Sequence, residues 1–294
     1  MVALLVKKAE RAFLPLIIGK LVTFAKKAYL VIEPLLISIT KAVPDRILVR
    51  IKSNTQIIGK MDYRRCNIFL NIDSEIEYNT RLYSCEKETE TVQWIETFFK
   101  EGQVFYDVGS NIGAYSLVAS KFLKGHIQVY AFEPSFVTYP QLCKNISLND
   151  CQETIMPMQI ALSDQTGIEN FNYNNLIPGG ALHALGESID YKGDVFEPVY
   201  KQPILAYRLD DLIRLFHIPL PNHIKIDVDG IEFKVLKGAE HTLRDQSVKS
   251  VIVELEDEDD EANTIIEFLG EKGLKFSSKD TSQYKTCNYL FCRT

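Results

Sequence analysis

A strand that ends in a glycine-rich turn is the most informative feature of this sequence. The segment 104–116, VFYDVGSNIGAYS, places Asp107 near the end of an apolar run, Gly109 and Gly113 in the turn, and the start of a helix after them. Glycine adopts positive φ without steric cost and lets a backbone approach a ligand closely. The first N–H groups of a helix can also bind an anionic group. The turn is therefore predicted to hold a ligand.

The spacing of the turn excludes three common motifs. A dinucleotide-binding turn needs G-x-G-x-x-G, but Asn111 stands where the second glycine would be. The Gly-Lys-Ser/Thr ending of a phosphate-binding loop is missing, and a hydrolase nucleophile elbow would need serine in place of Asn111. A nucleoside-bearing cofactor without a pyrophosphate remains. The next predicted strand supports it, because Glu133 at its end could accept hydrogen bonds from both hydroxyls of a ribose.

A second group of charged residues follows a later strand, in the segment 223–232, HIKIDVDGIE. Strand alternation directs Lys225, Asp227 and Asp229 to one side. A buried lysine needs a carboxylate partner, and Asp227 and Asp107 are the candidates. Together with Glu232, these aspartates could cap the following helix, stabilise a sulfonium cation, accept a proton or hold a hard metal ion. The spacing does not separate these roles.

Four segments in this order resemble the FkbM family of S-adenosyl-L-methionine-dependent methyltransferases: VFYDVGSNIGAYS, YAFEPS, IALSD (160–164) and IKIDVDGIEFKVLKGAE. The resemblance covers about residues 80–257. It implies a class I methyltransferase fold and O-methylation of a hydroxyl on a sugar, a glycolipid or a natural-product scaffold.

The resemblance also implies roles for individual residues. The methionine end of the cofactor would be lined by Asp107, Gly109, Asn111 and Gly113. Glu133 would take the ribose, and Asp164 would lie near the adenine. Similar proteins usually have glutamate where this chain has Asp229, and that shorter side chain is the one departure.

Methyl transfer to a sugar hydroxyl calls for a base or a metal ion, because the hydroxyl is weakly acidic. The candidates for the base are Asp227, Asp229, Glu254 and His183. Asp227 is also counted among the cofactor-binding residues, and a divalent metal stays an open alternative. Methylation of a carboxylate or an amide nitrogen, or a non-catalytic cofactor-binding or assembly protein, remain as rivals.

The elements that would position these residues alternate between strand and helix from residue 104 onward. This alternation predicts an α/β fold with a mostly parallel sheet, helices on both faces and an antiparallel C-terminal hairpin. We expect a helical arm over 1–43, a small β-rich segment over 44–88 in which ILVRIK (47–52) is a strand, and the methyltransferase domain over 89–294. Within that domain, 165–207 has weak periodicity and is expected to be a long irregular insertion.

The distribution of charge along the chain indicates which classes of partner it could bind. Residues 1–43 carry a net charge of +5 and the rest of the chain −11, within a total of −6. An acidic body argues against nucleic acid and for a small-molecule or glycan acceptor. The basic, apolar arm is predicted either to contact a membrane peripherally or to mediate self-association, because charges interrupt every run long enough to span a bilayer. Six scattered cysteines favour reduced thiols and a cytoplasmic location, with membrane association through the arm left open.

Overall fold

The computed structural model describes residues 43–189, 193–256, 260–280 and 286–293, together with Pro34 and Ser38. Nearly all of the predicted arm over 1–43 lies outside the described residues, so its membrane or assembly role stays a prediction. The chain divides into two compact units, Met1–Gln56 and Ile57–Thr294. Within the described part, no helix combines the length and the hydropathy needed to cross a bilayer.

The first unit contains helix α1 (Asp45–Asn54), so the strand predicted at 47–52 was wrong. Pro44 precedes the helix, Asp45 lies in its first turn and Lys52 in its last, which suits the helix dipole. A run of six mostly branched residues cannot distinguish a strand from a helix by periodicity. None of the ten residues of α1 is buried.

The second unit begins with more helix than strand, although 44–88 was predicted to be β-rich. Two three-residue strands, β1 (Ile58–Lys60) and β2 (Phe69–Asn71), pair antiparallel. Helix α2 (Glu75–Asn79), a 3-10 turn (Arg81–Tyr83) and helix α3 (Ser84–Lys87) follow. These residues share one compact unit with the rest of the chain up to Thr294.

A seven-stranded sheet forms the centre of this unit among the described residues, and it confirms the predicted fold class. Its strands, in spatial order, are β12 (Leu274–Lys279), β13 (Thr286–Arg293), β11 (Ser250–Glu256), β10 (His223–Ile226), β3 (Val104–Val108), β4 (Gln128–Phe132) and β5 (Ile155–Met158). The strands from β11 to β5 are parallel, and β13 runs antiparallel to both β11 and β12. Register pairs Lys225 of β10 with Asp107 of β3.

Helices cover both faces of this sheet, and two apolar clusters lie beneath them. Phe105 and Val129 belong to one cluster, whereas their strand neighbours Tyr106 and Tyr130 belong to the other, as the alternation of side chains requires. The helices are α4 (Thr89–Phe98), α5 (Ala114–Phe122), α6 (Tyr139–Leu148), α7 (Leu209–Phe216), α8 (Glu232–Gly238), α9 (Glu240–Arg244) and α10 (Asp260–Glu271). Helices α8 and α9 are separated only by Ala239.

Part of the segment 165–207, which was expected to be a long irregular insertion, contributes three strands to a second sheet. The four strands, in spatial order, are β6 (Ala161–Leu162), β9 (Tyr200–Tyr207), β7 (Gly167–Tyr173) and β8 (Ala184–Leu185). Asn170 and Pro203, both poor strand formers, face each other in the β7–β9 pair. Pairing over seven residues and the burial of Phe171 and Tyr173 outweigh that low propensity.

Candidate active site

A cavity of about 700 Å³ lies at the carboxyl ends of the parallel strands, where α/β sheets bind ligands. Its size is within the range of small-molecule sites. It brings together seven of the predicted site residues: Gly109, Asn111, Glu133, His183, Asp227, Asp229 and Glu254. The other three, Asp107, Gly113 and Asp164, are not among the lining residues.

The glycine turn after β3 lies against the turn after β10. Gly109 has a φ of 78°, and its N–H and that of Ser110 both donate to the Phe132 carbonyl, at 3.0 and 2.9 Å. A Cβ at position 109 would lie 1.7 Å from the Asp227 carbonyl oxygen. Only glycine fits this position. Gly113, at a φ of 87°, is needed for packing, because its Cβ would lie 2.5 Å from Leu142 Cδ1.

Glu133 closes the cavity from the end of β4. One of its carboxylate oxygens accepts from the Asn111 N–H at 2.9 Å and the other from the Ser135 N–H at 3.0 Å. Burial raises the pKa of Glu133 to about 7, although these two N–H groups favour the charged form. Each oxygen keeps a second lone pair, so the carboxylate can still accept from ligand hydroxyls.

Asp107 lies behind the cavity, with 1% of its surface exposed. Its Oδ2 accepts from Ser116 Oγ at 2.6 Å, which ties β3 to α5, and its Oδ1 has no hydrogen-bond partner among the described residues. Burial raises the pKa of Asp107 to about 6, against the attraction of Lys225. Asp107 does not line the cavity, so the contact with the methionine end of the cofactor that the resemblance implies stays a prediction.

The implied place of Asp164 beside an adenine stays a prediction. Its Oδ2 lies 3.2 Å from Lys237 Nζ of α8, and Asp164 is not among the residues that line the cavity. The preceding residues Ile160, Ala161 and Leu162 line the cavity instead. These apolar side chains, with Phe132, are suited to a flat base.

Asp227 is the partner of the buried Lys225, at 2.5 Å from Nζ to Oδ2. Burial alone would raise the pKa of Asp227, but Lys225 and a hydrogen bond with Glu254 hold it well below its usual range. The charge of Asp227, together with burial, raises the pKa of Glu254 to about 9. At neutral pH, Asp227 is therefore ionised and Glu254 protonated.

Asp229 and Glu232 both organise the turn that follows. Asp229 has a φ of 57°, and its Oδ2 accepts from the Leu182 N–H at 2.7 Å. Burial raises the pKa of Asp229 to about 6 and that of Glu232 to about 7. Glu232 accepts from the Gly230 N–H at 3.1 Å, so it stabilises its own turn at the start of α8.

His183 is buried beside the rings of Phe171 and Tyr173. Burial lowers its pKa to about 4, so the imidazole is neutral at physiological pH. Its Nδ1 accepts from the Asn174 N–H at 3.3 Å, which leaves the proton on Nε2. This tautomer donates a hydrogen bond more readily than it accepts a proton.

The residues 174–183, here named the cover loop, are tied to the site by side chains from other parts of the chain. Asn111 Nδ2 donates to the Gly180 carbonyl at 2.8 Å, and Arg81 donates through Nε and Nη2 to the Gly179 carbonyl at 3.0 and 2.7 Å. Sequence reasoning missed Arg81 and Lys87, which line the cavity from the segment before α4. They belong to no motif, so no local signal marks them.

Arg81→Met should loosen the cover loop. Two hydrogen bonds from a charged group to the Gly179 carbonyl would be lost, at roughly 1 kcal/mol or more in total. We expect the loop amides over 175–182 to exchange with solvent about tenfold faster, as measured by mass spectrometry of deuterium uptake. The exposed Arg244, which pairs with Glu240 on α9, supplies the control Arg244→Met, for which loop exchange should not change. Unaltered exchange in Arg81→Met would show that the tether does not hold the loop.

A family model described as the methyltransferase FkbM domain matches residues 107–276, more than half of the chain. The chain belongs to the FkbM methyltransferase family. The match contains the glycine turn, Glu133 and the 227–232 turn, and membership supports methyltransferase activity. It does not extend to Arg81, Lys87 and Glu88.

Two curated relatives of this FkbM-family chain are similar over part of their length. Hexuronic acid methyltransferase AglP of Haloferax volcanii is 29% identical over 180 residues, which are 61% of this chain and 67% of that protein. The 31-O-demethyl-FK506 methyltransferase FkbM of Streptomyces tacrolimicus is 26% identical over 195 residues, 60% of this chain and 74% of that one. A solved structure, methyltransferase FkbM from Methylobacillus flagellatus KT, is 17% identical in sequence and has a TM-score of 0.44. The match covers 65% of this chain and 44% of the chain in that structure.

A metal ion was an alternative for this FkbM-family site. Within the part of the chain that the structure describes, no group of three or more His, Cys, Asp or Glu side chains is placed to hold one. The carboxylates of the 227–232 turn are instead engaged by Lys225, by Glu254 and by backbone N–H groups.

Proposed function

We propose that this chain transfers a methyl group from S-adenosyl-L-methionine to a hydroxyl of a sugar, a glycolipid or a natural-product acceptor. The observation that carries the proposal is the cavity in which the Gly109 turn, the Glu133 carboxylate and the ionised Asp227 face the same space. Family membership supports the reaction type. The names of the relatives, a hexuronic acid methyltransferase and a 31-O-demethyl-FK506 methyltransferase, favour an oxygen acceptor.

The lining residues fit the three chemical parts of this cofactor. Glu133 would accept from the ribose hydroxyls, and Ile160, Leu162 and Phe132 would contact the adenine. The ionised Asp227 would attract the cationic methionine end. When bound, the cofactor supplies an electrophilic methyl group on a sulfonium sulfur.

In the proposed reaction the acceptor oxygen forms a bond to the methyl carbon and loses its proton, while the carbon–sulfur bond breaks. Holding the oxygen in line with that bond supplies much of the rate. We assign proton removal to Asp229, because its pKa of about 6 leaves it ionised yet basic near neutral pH. Asp227 is too acidic for this role, Glu254 is already protonated, and His183 keeps Nδ1 engaged.

Asp229→Asn should lower kcat by about 10²- to 10⁴-fold, the range for loss of a general base. The amide oxygen can still accept from the Leu182 N–H, so the cover loop keeps its tether. In the wild type, kcat should fall as the pH drops below about 6, because the base becomes protonated. Equal kcat in Asp229→Asn and the wild type would remove Asp229 from this role.

The function itself is tested by calorimetry with S-adenosyl-L-methionine, followed by a product assay on a panel of saccharides and uronic acids. Formation of S-adenosylhomocysteine with a methyl group on a hydroxyl would support the proposal. An alkali-labile ester or an N-methyl product would instead favour a carboxylate or an amide acceptor. Binding without turnover on any acceptor would favour a non-catalytic protein, and absence of binding would refute the cofactor assignment.

A further inference from the structure

A buried cluster of charges stands directly behind the cavity. Lys225, from β10, is 1% exposed, and its Nζ lies 2.5 Å from Asp227 Oδ2 and 3.7 Å from Glu88 Oε2. The same Nζ lies 5.0 Å from the centre of the Tyr115 ring, within the range of a cation–π contact. A buried ammonium group is very costly unless it is paired in this way, so the cluster demands an explanation.

The Asp227 and Glu254 side chains hydrogen-bond each other, and two carboxylates can do so only when one carries a proton. The geometry alone would allow that proton on either residue. Lys225 breaks the symmetry, because its ion pair is with Asp227. The negative charge is therefore on Asp227, and the proton is on Glu254.

Polar and charged groups from five parts of the chain act on Lys225. These groups are Asp227 from the turn after β10, Asp107 from β3, Glu254 from β11, Glu88 between α3 and α4, and Tyr115 from α5. The four carboxyl groups all favour the charged form of the lysine, and burial opposes it. The balance raises the pKa of Lys225, so the ammonium charge is permanent in the physiological range.

We propose that Lys225, which also pairs with Glu88, is a positioning residue that fixes the negative charge of the Asp227–Glu254 pair on Asp227, where it faces the cationic end of the cofactor. This inference rests on the proposed function. Lys225 does not line the cavity, so it acts through Asp227.

The role of Glu88 links the site to the segment before α4. Its Oε2 also accepts from Thr91 Oγ1 at 3.1 Å, which fixes the carboxylate to the first turns of α4. Glu88 lies outside the stretch 107–276 that the family model matches. The charge at the floor of the cavity therefore depends on a residue that the family domain does not include.

The test compares two probes that differ in charge at one atom. S-adenosyl-L-methionine carries a sulfonium cation, whereas S-adenosylhomocysteine has a neutral sulfur. Lys225→Met removes the cation that favours the ionised form of the neighbouring carboxyl groups. These groups would then bind protons more readily, and Asp227 would lose its fixed charge. By calorimetry, we expect the affinity for the sulfonium probe to fall at least about tenfold more than the affinity for the neutral probe. Lys225→Arg, which keeps the charge, should restore part of that difference.

Lys272 supplies the matched control, because it is another buried lysine paired with glutamates, Glu240 and Glu271, but it does not line the cavity or contact the pair. Lys272→Met should leave the affinity for both probes unchanged. Equal losses for both probes in Lys225→Met would mean that Lys225 is only structural, and would overturn the inference. A wild type that binds neither probe would instead refute the proposed function.

A second pair of variants keeps the inference testable if Lys225→Met does not fold. Glu254→Gln mimics the neutral member of the pair, whereas Asp227→Asn removes the charged one. The loss of affinity for the sulfonium probe should be at least about tenfold larger in Asp227→Asn than in Glu254→Gln. Equal losses of affinity, or a larger loss in Glu254→Gln, would mean that the negative charge of the pair is not fixed on Asp227, and would overturn the inference.

Discussion

Gly109→Ala is expected to abolish binding of S-adenosyl-L-methionine and to destabilise the fold severely. The residue has a φ of 78°, and an added Cβ would lie 1.7 Å from the Asp227 carbonyl oxygen. The Cβ position is fixed by the backbone of residue 109, and the Asp227 oxygen is itself a backbone atom. The clash can therefore be relieved only by separating the turns after β3 and β10. Those turns form the floor of the cavity. We expect the free energy of unfolding, measured with urea, to fall by about 4 kcal/mol or more.

Gly102 provides a control with nearly the same φ and open space around it. Its φ is 79°, and nothing lies within 4 Å of a Cβ added there. Gly102→Ala should therefore show the cost of left-handed backbone alone, roughly 1–2 kcal/mol. The difference between the two variants isolates the steric clash. If both lost the same stability and both bound the cofactor, the close approach of the two turns would not matter to the site.

The fold could be predicted from sequence where one local signal determined each element. The run 104–108 is buried at every residue, and the turn after it needs glycine. The predicted strand, turn and helix α5 therefore match the structure. The second sheet could not be predicted in this way. Strand β7 contains Glu169, Asn170 and Asn172, and it forms because β9 pairs with it from about thirty residues further along the chain.

The candidate site shows the same division between local and long-range information. Glu133 and Asp227 lie at strand ends that the sequence identifies, and both line the cavity. Asp164 belongs to a recognisable segment, but it does not line the cavity, and it pairs with Lys237, which is distant in sequence. Arg81 and Glu88 reach the site only because the chain before α4 folds against it. A single sequence does not encode that contact in any local pattern.

Cofactor affinity should depend on pH through Glu133. Burial raises the pKa of this carboxyl to about 7, and ribose hydroxyls bind best to its ionised form. The affinity for S-adenosyl-L-methionine should therefore weaken as the pH falls below about 7, approaching tenfold per pH unit if only the ionised form binds. Titration calorimetry between pH 5.5 and pH 8 in buffers of different ionisation enthalpy would record both the affinity and the protons released.

Glu133→Gln should bind the cofactor about 10- to 100-fold more weakly at pH 8 and should show a flatter pH dependence, because a hydrogen bond to a charged acceptor is lost. Glu77 is the control, since it is also buried with a raised pKa but does not line the cavity. Glu77→Gln should keep the wild-type dependence of cofactor affinity on pH.

Without cofactor, the stability of the fold depends on pH in the opposite direction to cofactor affinity. The pKa of Glu133 in the folded protein lies above its unfolded value near 4.3, so the contribution of Glu133 to stability declines as the pH rises from about 4 to 7. The increase in Tm on adding cofactor should therefore be larger at pH 8 than at pH 5.5, and a wild-type affinity that does not change with pH would refute the role of Glu133.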